Sequence, residues 1–232
     1  MTRRLTITAI LKTPIITQGY LTFDGLLAGI IFDKRNDGDV DAAHAAVPLV
    51  SNDGLFHASA ACFHGASFGK ASFSAGLRAS HDLDPSMILK SKDGTKLHRK
   101  LGLKRMREFG MVKNDYQTII ADRIEWDVEG DPQGISDVLE DIFWIGKRRA
   151  AGYGEVARWD INYGSLDGLV SPSGEALRPI PATRFKGDLT QPLMDAAWKP
   201  AYWAFENRAA CFVPSHSWRF PKLDEQVIDE HI

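Results

Sequence analysis

The chain has 232 residues, 44% of them hydrophobic and 25% charged, a balance that suits a globular protein with a buried core and excludes a disordered polymer. The formal net charge is −2, so any nucleic-acid surface has to come from local clustering of cations. Two cysteines, Cys62 and Cys211, are too few and too far apart for a disulfide framework or a metal site, and no apolar run reaches the length of a membrane span. No cofactor or metal is expected, and a reducing, cytoplasmic setting is. Residues 1–19 carry no apolar core of signal-peptide length, because Thr6, Thr8 and Lys12 interrupt them.

Residues 4–12 alternate, with Leu5, Ile7, Ala9 and Leu11 on one side and Thr6 and Thr8 on the other, the period of a strand that Pro14 and Gly19 end. Thr22 is placed to cap a helix whose apolar face holds Phe23, Leu26, Leu27, Ile30 and Ile31. Asp24 falls in its first turn, where the helix dipole favours an anion, and takes a structural reading. Residues 33–54, rich in Asp, Asn, Ala and Gly, read as a surface excursion, and 55–77 as one or two short strands. Residues 81–113 read as an insertion. Between Lys90 and Arg107 it carries Lys90, Lys92, Lys96, Arg99, Lys100, Lys104, Arg105 and Arg107 against one acid, Asp93, with Leu97, Leu101, Leu103 and Met106 among them. If each of the eight cations displaced a counterion, binding of a polyanion there would depend steeply on salt.

A strand over 116–128 follows, with Ile124, Trp126 and Val128 opposed to Arg123, Glu125 and Asp127. Asp131 and Pro132 then open a helix whose apolar face is Ile135, Val138, Leu139, Ile142 and Phe143. After it comes Ile145–Val156, in which Gly146, Lys147, Arg148 and Arg149 precede Gly152, Tyr153 and Gly154. The next strand alternates Ala157, Trp159, Ile161 and Tyr163 with Arg158, Asp160 and Asn162. The order helix, glycine-basic loop, strand is the reverse of a nucleotide-cofactor site, in which phosphate meets a helix N-terminus. The loop therefore reads as a contact for a polymer. Amides exposed by Gly152 and Gly154, bidentate Arg148 or Arg149 and a stacking Tyr153 suit RNA. The bland alternative is a helix C-terminus closed by a glycine and a cation, but one of each suffices for that.

The sequence of elements is strand, helix, strand, basic insertion, strand, helix, strand. That is an α+β, ferredoxin-like (RRM-like) βαββαβ pattern over residues 1–164, whose sheet is also an RNA-reading surface. Residues 165–232 read as an extended C-terminal arm packed on the domain or on a neighbour, ending in an acidic tail at Leu223–Ile232. Trp198, Trp203 and Trp218 in it read as core or subunit interface.

A strand ending in proline, a helix opening with Phe23-Asp24-Gly25-Leu26-Leu27-Ala28, and a second helix running into Ile145-Gly146-Lys147-Arg148-Arg149 and Gly152-Tyr153-Gly154-Glu155-Val156 together resemble the RAMP superfamily of CRISPR-associated proteins. Arg178-Pro179-Ile180-Pro181, Tyr202-Trp203 and Pro214 are similar to the C-terminal part of its type IV members in the Cas-five role. The resemblance implies a subunit that holds the 5′ handle of a crRNA against repeated backbone subunits, with the basic insertion as a thumb over the RNA. It further implies a large-subunit-like partner, target DNA in the assembled effector, and a helicase in some variants. Nothing of a membrane is implied.

An alternative stays open. Relatives that process crRNA without metal use a histidine, or a tyrosine–lysine set, to move protons at the 2′-hydroxyl and the 5′ leaving oxygen. His57 and His98 are the candidate residues here, within a region that also holds His64 and His81. A ferredoxin-like module that binds only protein is a third reading.

Overall fold

The computed structural model describes residues 1–75 and 112–221. The eight cations of Lys90–Arg107, together with His81 and His98, lie outside the described residues, as does the acidic tail. The chain divides into two compact units, one of Met1–Phe68 with Ile119 onward, the other Gly69–Thr118.

In chain order the elements are β1 (Arg3–Leu11), α1 (Phe23–Arg35), α2 (Val40–Ala45), β2 (Ser51–Asn52), β3 (Leu55–Phe56), β4 (Cys62–His64), β5 (Ser67–Ala75), β6 (Val112–Ile120), β7 (Arg123–Gly130), α3 (Pro132–Leu139), β8 (Val156–Tyr163), β9 (Ile180–Pro181), β10 (Leu193–Ala197), β11 (Arg208–Phe212) and α4 (His216–Arg219). The protein is mixed α+β with several antiparallel sheets. The main sheet has the order β4-β7-β1-β8, and every neighbouring pair is antiparallel.

Alternation decides which face of that sheet is buried. Leu5, Ile7 and Ala9 of β1 stand opposite Val128, Trp126 and Ile124 of β7, and Ile7 and Ala9 also oppose Ile161 and Trp159 of β8. Phe23, Leu27 and Ile31 of α1 and Ile135 and Leu139 of α3 join them in one apolar cluster. Each fully buried side chain of this size contributes about 1.5–3 kcal/mol relative to exposure. Asp131 caps α3 by accepting the Gly134 N–H at 2.9 Å.

Several elements differ from the periodicity. The strand expected over 116–128 is two strands, β6 and β7, separated at residues 121–122. The second helix stops at Leu139, and Phe143, assigned to its apolar face, is 58% exposed. The excursion of 33–54 contains α2, capped by Asp39 on the Ala42 N–H at 2.9 Å, and the β2–β3 pair. The C-terminal segment is not an extended arm. It forms a three-stranded sheet, β10-β11-β9, with its own apolar cluster around Ile180, Phe185 and Phe212, and belongs to the same unit as the main sheet. Trp198 and Trp218 are half-buried there, whereas Trp203 is 84% exposed.

One buried polar group ties that segment to the core. The Arg178 guanidinium is fully buried. Its Nη1 donates to Asp24 Oδ1 at 3.2 Å and to the carbonyls of Phe56 and Ala58 at 2.6 and 3.0 Å. Its Nη2 donates to Asp24 Oδ2 at 3.3 Å, Trp198 O at 2.9 Å and the Tyr202 hydroxyl at 2.6 Å. That hydroxyl donates in turn to Asp24 Oδ2 at 2.6 Å. Burial disfavours the guanidinium charge, but Asp24 and Tyr202 outweigh it, so the Arg178 pKa is raised. Burial pushes the Tyr202 hydroxyl well above its ordinary value. The Tyr202 ring lies so close to α1 that a Cβ on Gly25 would stand 2.7 Å from its Cε2, which explains a glycine inside the first turn of that helix. Asp24 is structural, as the sequence suggested, but through this ion pair more than through the helix dipole.

The smaller unit is built on β5 and β6, which pair with each other. Phe73 meets Tyr116 edge-on at 5.8 Å, and Asp115 accepts from the Ser72 hydroxyl and pairs with Lys70.

Asp24→Ala leaves a buried guanidinium without its counterion, and a loss of about 3–5 kcal/mol is expected in urea unfolding. Tyr202→Phe removes one hydrogen-bonding group from the same cluster and should cost about 1–3 kcal/mol.

Candidate nucleic-acid interface

The segment after β1 and the loop before β8 are zipped together. Lys12 N–H donates to Glu155 O at 2.9 Å, and its ammonium pairs with the Glu155 carboxylate at 2.9 Å. Glu155 N–H donates to the Thr13 hydroxyl, Gly154 N–H to Pro14 O, and Lys147 N–H to Ile16 O, at 2.9, 2.9 and 2.7 Å. Ile145 N–H closes the loop on Gly154 O at 2.9 Å. The Lys147 ammonium reaches the Gln18 side-chain oxygen.

Closing so tight a loop needs left-handed backbone at four positions, Gly146, Arg148, Gly152 and Gly154, with φ of 81°, 58°, 87° and 76°. At two of them there is no room for a side chain either. A Cβ on Gly146 would stand 2.6 Å from Ile16 O, and one on Gly154 would collide with the Ile145 carbonyl. Residues 149–151 form a 3-10 turn in which Gly152 N–H donates to Arg149 O at 2.9 Å.

These bonds correct one part of the phosphate-cradle reading. The amides of Gly152 and Gly154 are both consumed inside the protein, so neither is turned toward a ligand. The glycines serve the loop's own closure. What the loop presents outward is its side chains: Lys147, Arg148 and Arg149 are all exposed, and Tyr153 is half-buried. Arg149 lies 3.9 Å from Asp33 with both side chains more than half exposed, an ion pair of the kind worth about 0–1 kcal/mol and easily exchanged for another anion.

The open face of the main sheet is different. Opposite the core, register places Arg4, Thr6, Thr8 and Ile10 of β1 beside Glu129, Asp127, Glu125 and Arg123 of β7, with Arg158, Asp160 and Asn162 of β8 on the other flank and Cys62 and His64 of β4 beyond. Among these residues there is no phenylalanine, tyrosine or tryptophan, and four are carboxylates. The His64 hydrogen bond, at 2.7 Å, together with Arg123, holds the Glu125 carboxyl down at about 2, so it is firmly ionised. Burial raises the Asp127 carboxyl, against which the Thr6 hydroxyl, donating at 3.0 Å, works in the opposite direction. With Arg4, Arg123 and Arg158 interleaved among the four carboxylates, the face is nearly balanced in charge, and it gives a base little to stack on. The expectation of an RNA-reading sheet face does not suit it.

His57 is the catalytic candidate that the structure describes. Its Nδ1 is 3.2 Å from Glu129 Oε2 and its Nε2 is 3.0 Å from Asn52 Nδ2, with the side chain 14% exposed. Both ring nitrogens are engaged by neighbouring side chains, and the ring bridges β7 to the β2–β3 pair. His64 is likewise held between Glu125 and Arg123.

Sequence reasoning missed the zipper partner, residues 13–18. Its trace was the apolar pair Ile15-Ile16 just after Pro14: Ile15 and Ile16 are buried, and Ile15 also pairs with Ile119. It also missed that Asp24, Arg178 and Tyr202 meet, since nothing local marks residues 154 apart as partners. No protein-family model matches the chain, and no curated protein matches it.

Gly154→Ala, which meets both a left-handed φ and a backbone carbonyl, should destabilise the protein by about 1–3 kcal/mol or more in thermal unfolding, whereas Gly152→Ala, facing open space, should cost only about 1 kcal/mol. The Glu125 carboxyl, held below its ordinary 4.5, contributes stability that is complete above that value and is lost as pH falls toward about 2. Acid unfolding of Glu125→Gln should accordingly show a flatter stability profile between pH 4.5 and 2 than the parent protein.

Proposed function

We propose that the chain is a non-catalytic guide-RNA-binding subunit of a type IV CRISPR effector, a RAMP protein in the Cas-five role that grips the repeat-derived 5′ handle. The observation that carries this reading is the display of Lys147, Arg148 and Arg149, three exposed cations in a row on a loop whose backbone is locked to the exit of β1. A loop whose backbone is already fixed has less backbone entropy to lose when its cations bind phosphate. The strand order β4-β7-β1-β8, antiparallel throughout with α1 and α3 on one face, agrees with a ferredoxin-like βαββαβ core. In this reading RNA is held by the loop and the basic thumb, and the sheet face, which has no aromatic side chain among its register residues, is left to other contacts. Repeated backbone subunits, a large-subunit-like protein, target DNA and in some systems a helicase are the partners of such a subunit, and the cytoplasm its place.

The loop contains no histidine, and the engaged ring of His57 favours holding RNA over cutting it. The test is repeat RNA incubated with the purified protein in the absence of metal. Intact RNA bound at the 5′ handle is the expected outcome, and site-specific cleavage lost in His57→Ala or His98→Ala would establish the endoribonuclease reading instead. Replacing Lys147, Arg148 and Arg149 together by alanine should weaken binding and flatten the plot of log affinity against log salt by about 0.7 for each phosphate that the protein no longer neutralises. Unchanged affinity and slope would remove the loop from the RNA site.

A further inference from the structure

The two edges of the main sheet are unequally protected. At the β4 edge, α4 lies alongside, and the Cys62 thiol donates to Trp218 O at 3.2 Å. At the β8 edge only the first residues are covered: Val156 N–H donates to Phe143 O at 2.8 Å, and Trp144 pairs with Glu155. Beyond that point no described strand pairs with the outer side of β8.

Register tells which groups that side offers. Gly164 N–H donates to Arg4 O at 2.9 Å, and Leu5 stands opposite Tyr163. In an antiparallel ladder bonded and non-bonded residues alternate. Arg158, Asp160 and Asn162 therefore bond to β1, and Trp159, Ile161 and Tyr163 turn their N–H and C=O groups outward. Only another extended backbone matches three such pairs in line. Along Trp159–Tyr163 there is no proline or lysine; the strand's bulge, at Ala157 where Ile10 faces Arg158 and Leu11 faces Val156, precedes that stretch, and the cation Arg158 is bonded to Asp160 at 3.1 Å. The side chains flanking this edge on the helix side are apolar and exposed, Tyr163 by 80% and Phe143 by 58%, beside a shallow groove of about 260 Å³ lined by Leu139, Phe143, Trp159 and Ile161.

We propose that β8 pairs edge to edge, antiparallel, with β8 of a second copy of this chain, about a twofold axis at Ile161. In that register the two Ile161 residues exchange bonds with each other, and Trp159 of each chain bonds to Tyr163 of the other, placing an indole and a phenol ring side by side across the junction. On the opposite face Asp160 stands across from Asn162 of the second copy, so no like charges meet. An axis at Asp160 sets two carboxylates against each other, and an axis at Asn162 leaves Trp159 without a partner. The self-complementary arrangement is the one that uses every outward group.

Sedimentation velocity over a wide concentration range, on the full chain without RNA, tests this independently of the RNA reading. A dimer is expected. Tyr163→Pro removes an outward N–H without touching the β1 ladder and should leave a monomer with an unchanged circular dichroism spectrum. Asn162→Asp, which leaves the backbone alone, sets a carboxylate across from Asp160 of the second copy twice over and should weaken the dimer roughly three- to tenfold. The double variant Asp160→Asn/Asn162→Asp restores the complementarity and should restore the affinity. A monomer at every concentration overturns the proposal, and so does a dimer that neither Tyr163→Pro nor Asn162→Asp weakens.

Discussion

The buried contact of Arg178 with Asp24 and Tyr202 is the constraint around which this protein is arranged. A guanidinium taken entirely out of water is tolerable only if its charge and most of its donors are matched. Here the matching groups come from four places in the chain: a carboxylate on α1, two carbonyls beside β3, a carbonyl after β10 and a phenol in the loop before β11. The cluster therefore fixes how the C-terminal sheet lies on the helical side of the core. It also dictates residues that carry no charge, because Gly25 is required by the proximity of the Tyr202 ring.

Charge is sorted over the larger unit with a consistent logic. Exposed cations gather on the loop preceding β8, while on the open sheet face four carboxylates are interleaved with Arg4, Arg123 and Arg158 and bonded by Thr6 and His64. A net charge near zero thus hides a local run of cations at that loop, where a polyanion is drawn before it is drawn to the balanced sheet face.

The sequence made the central pattern readable because the relevant signals are local. Alternation in residues 5–11 and 124–128, and the Asp131-Pro132 helix start, each need only a few neighbours to be recognised, and the structure has strands and a helix at those places. Glycines were legible as to presence but not as to purpose. Gly152 and Gly154 looked like openings for a ligand, and became internal closures once Pro14 and Arg149 were found to take up their amides. Distance in sequence was the other obstacle. Neither the zipper of residues 13–18 nor the partners of Asp24 leave a periodic trace, and Arg178 with Tyr202 reads like any proline- and aromatic-rich tail until the chain is folded. Helix length was overestimated for a simpler reason: Ile142 and Phe143 continue the apolar period past Leu139, but Phe143 uses its carbonyl to accept from Val156 instead.

The separation of 154 residues between Asp24 and Arg178 has a consequence for how the protein is made. As the chain leaves the ribosome, α1 and the strands of the main sheet are all synthesised before Arg178 emerges, and during that interval Asp24 is a carboxylate with no counterion in a helix bound for the interior. Long-range pairings of this kind form late, because the loop between the partners must first be closed. The Asp24–Arg178 contact is thereby a late one, and a chain broken off before Arg178 has no guanidinium to set against Asp24.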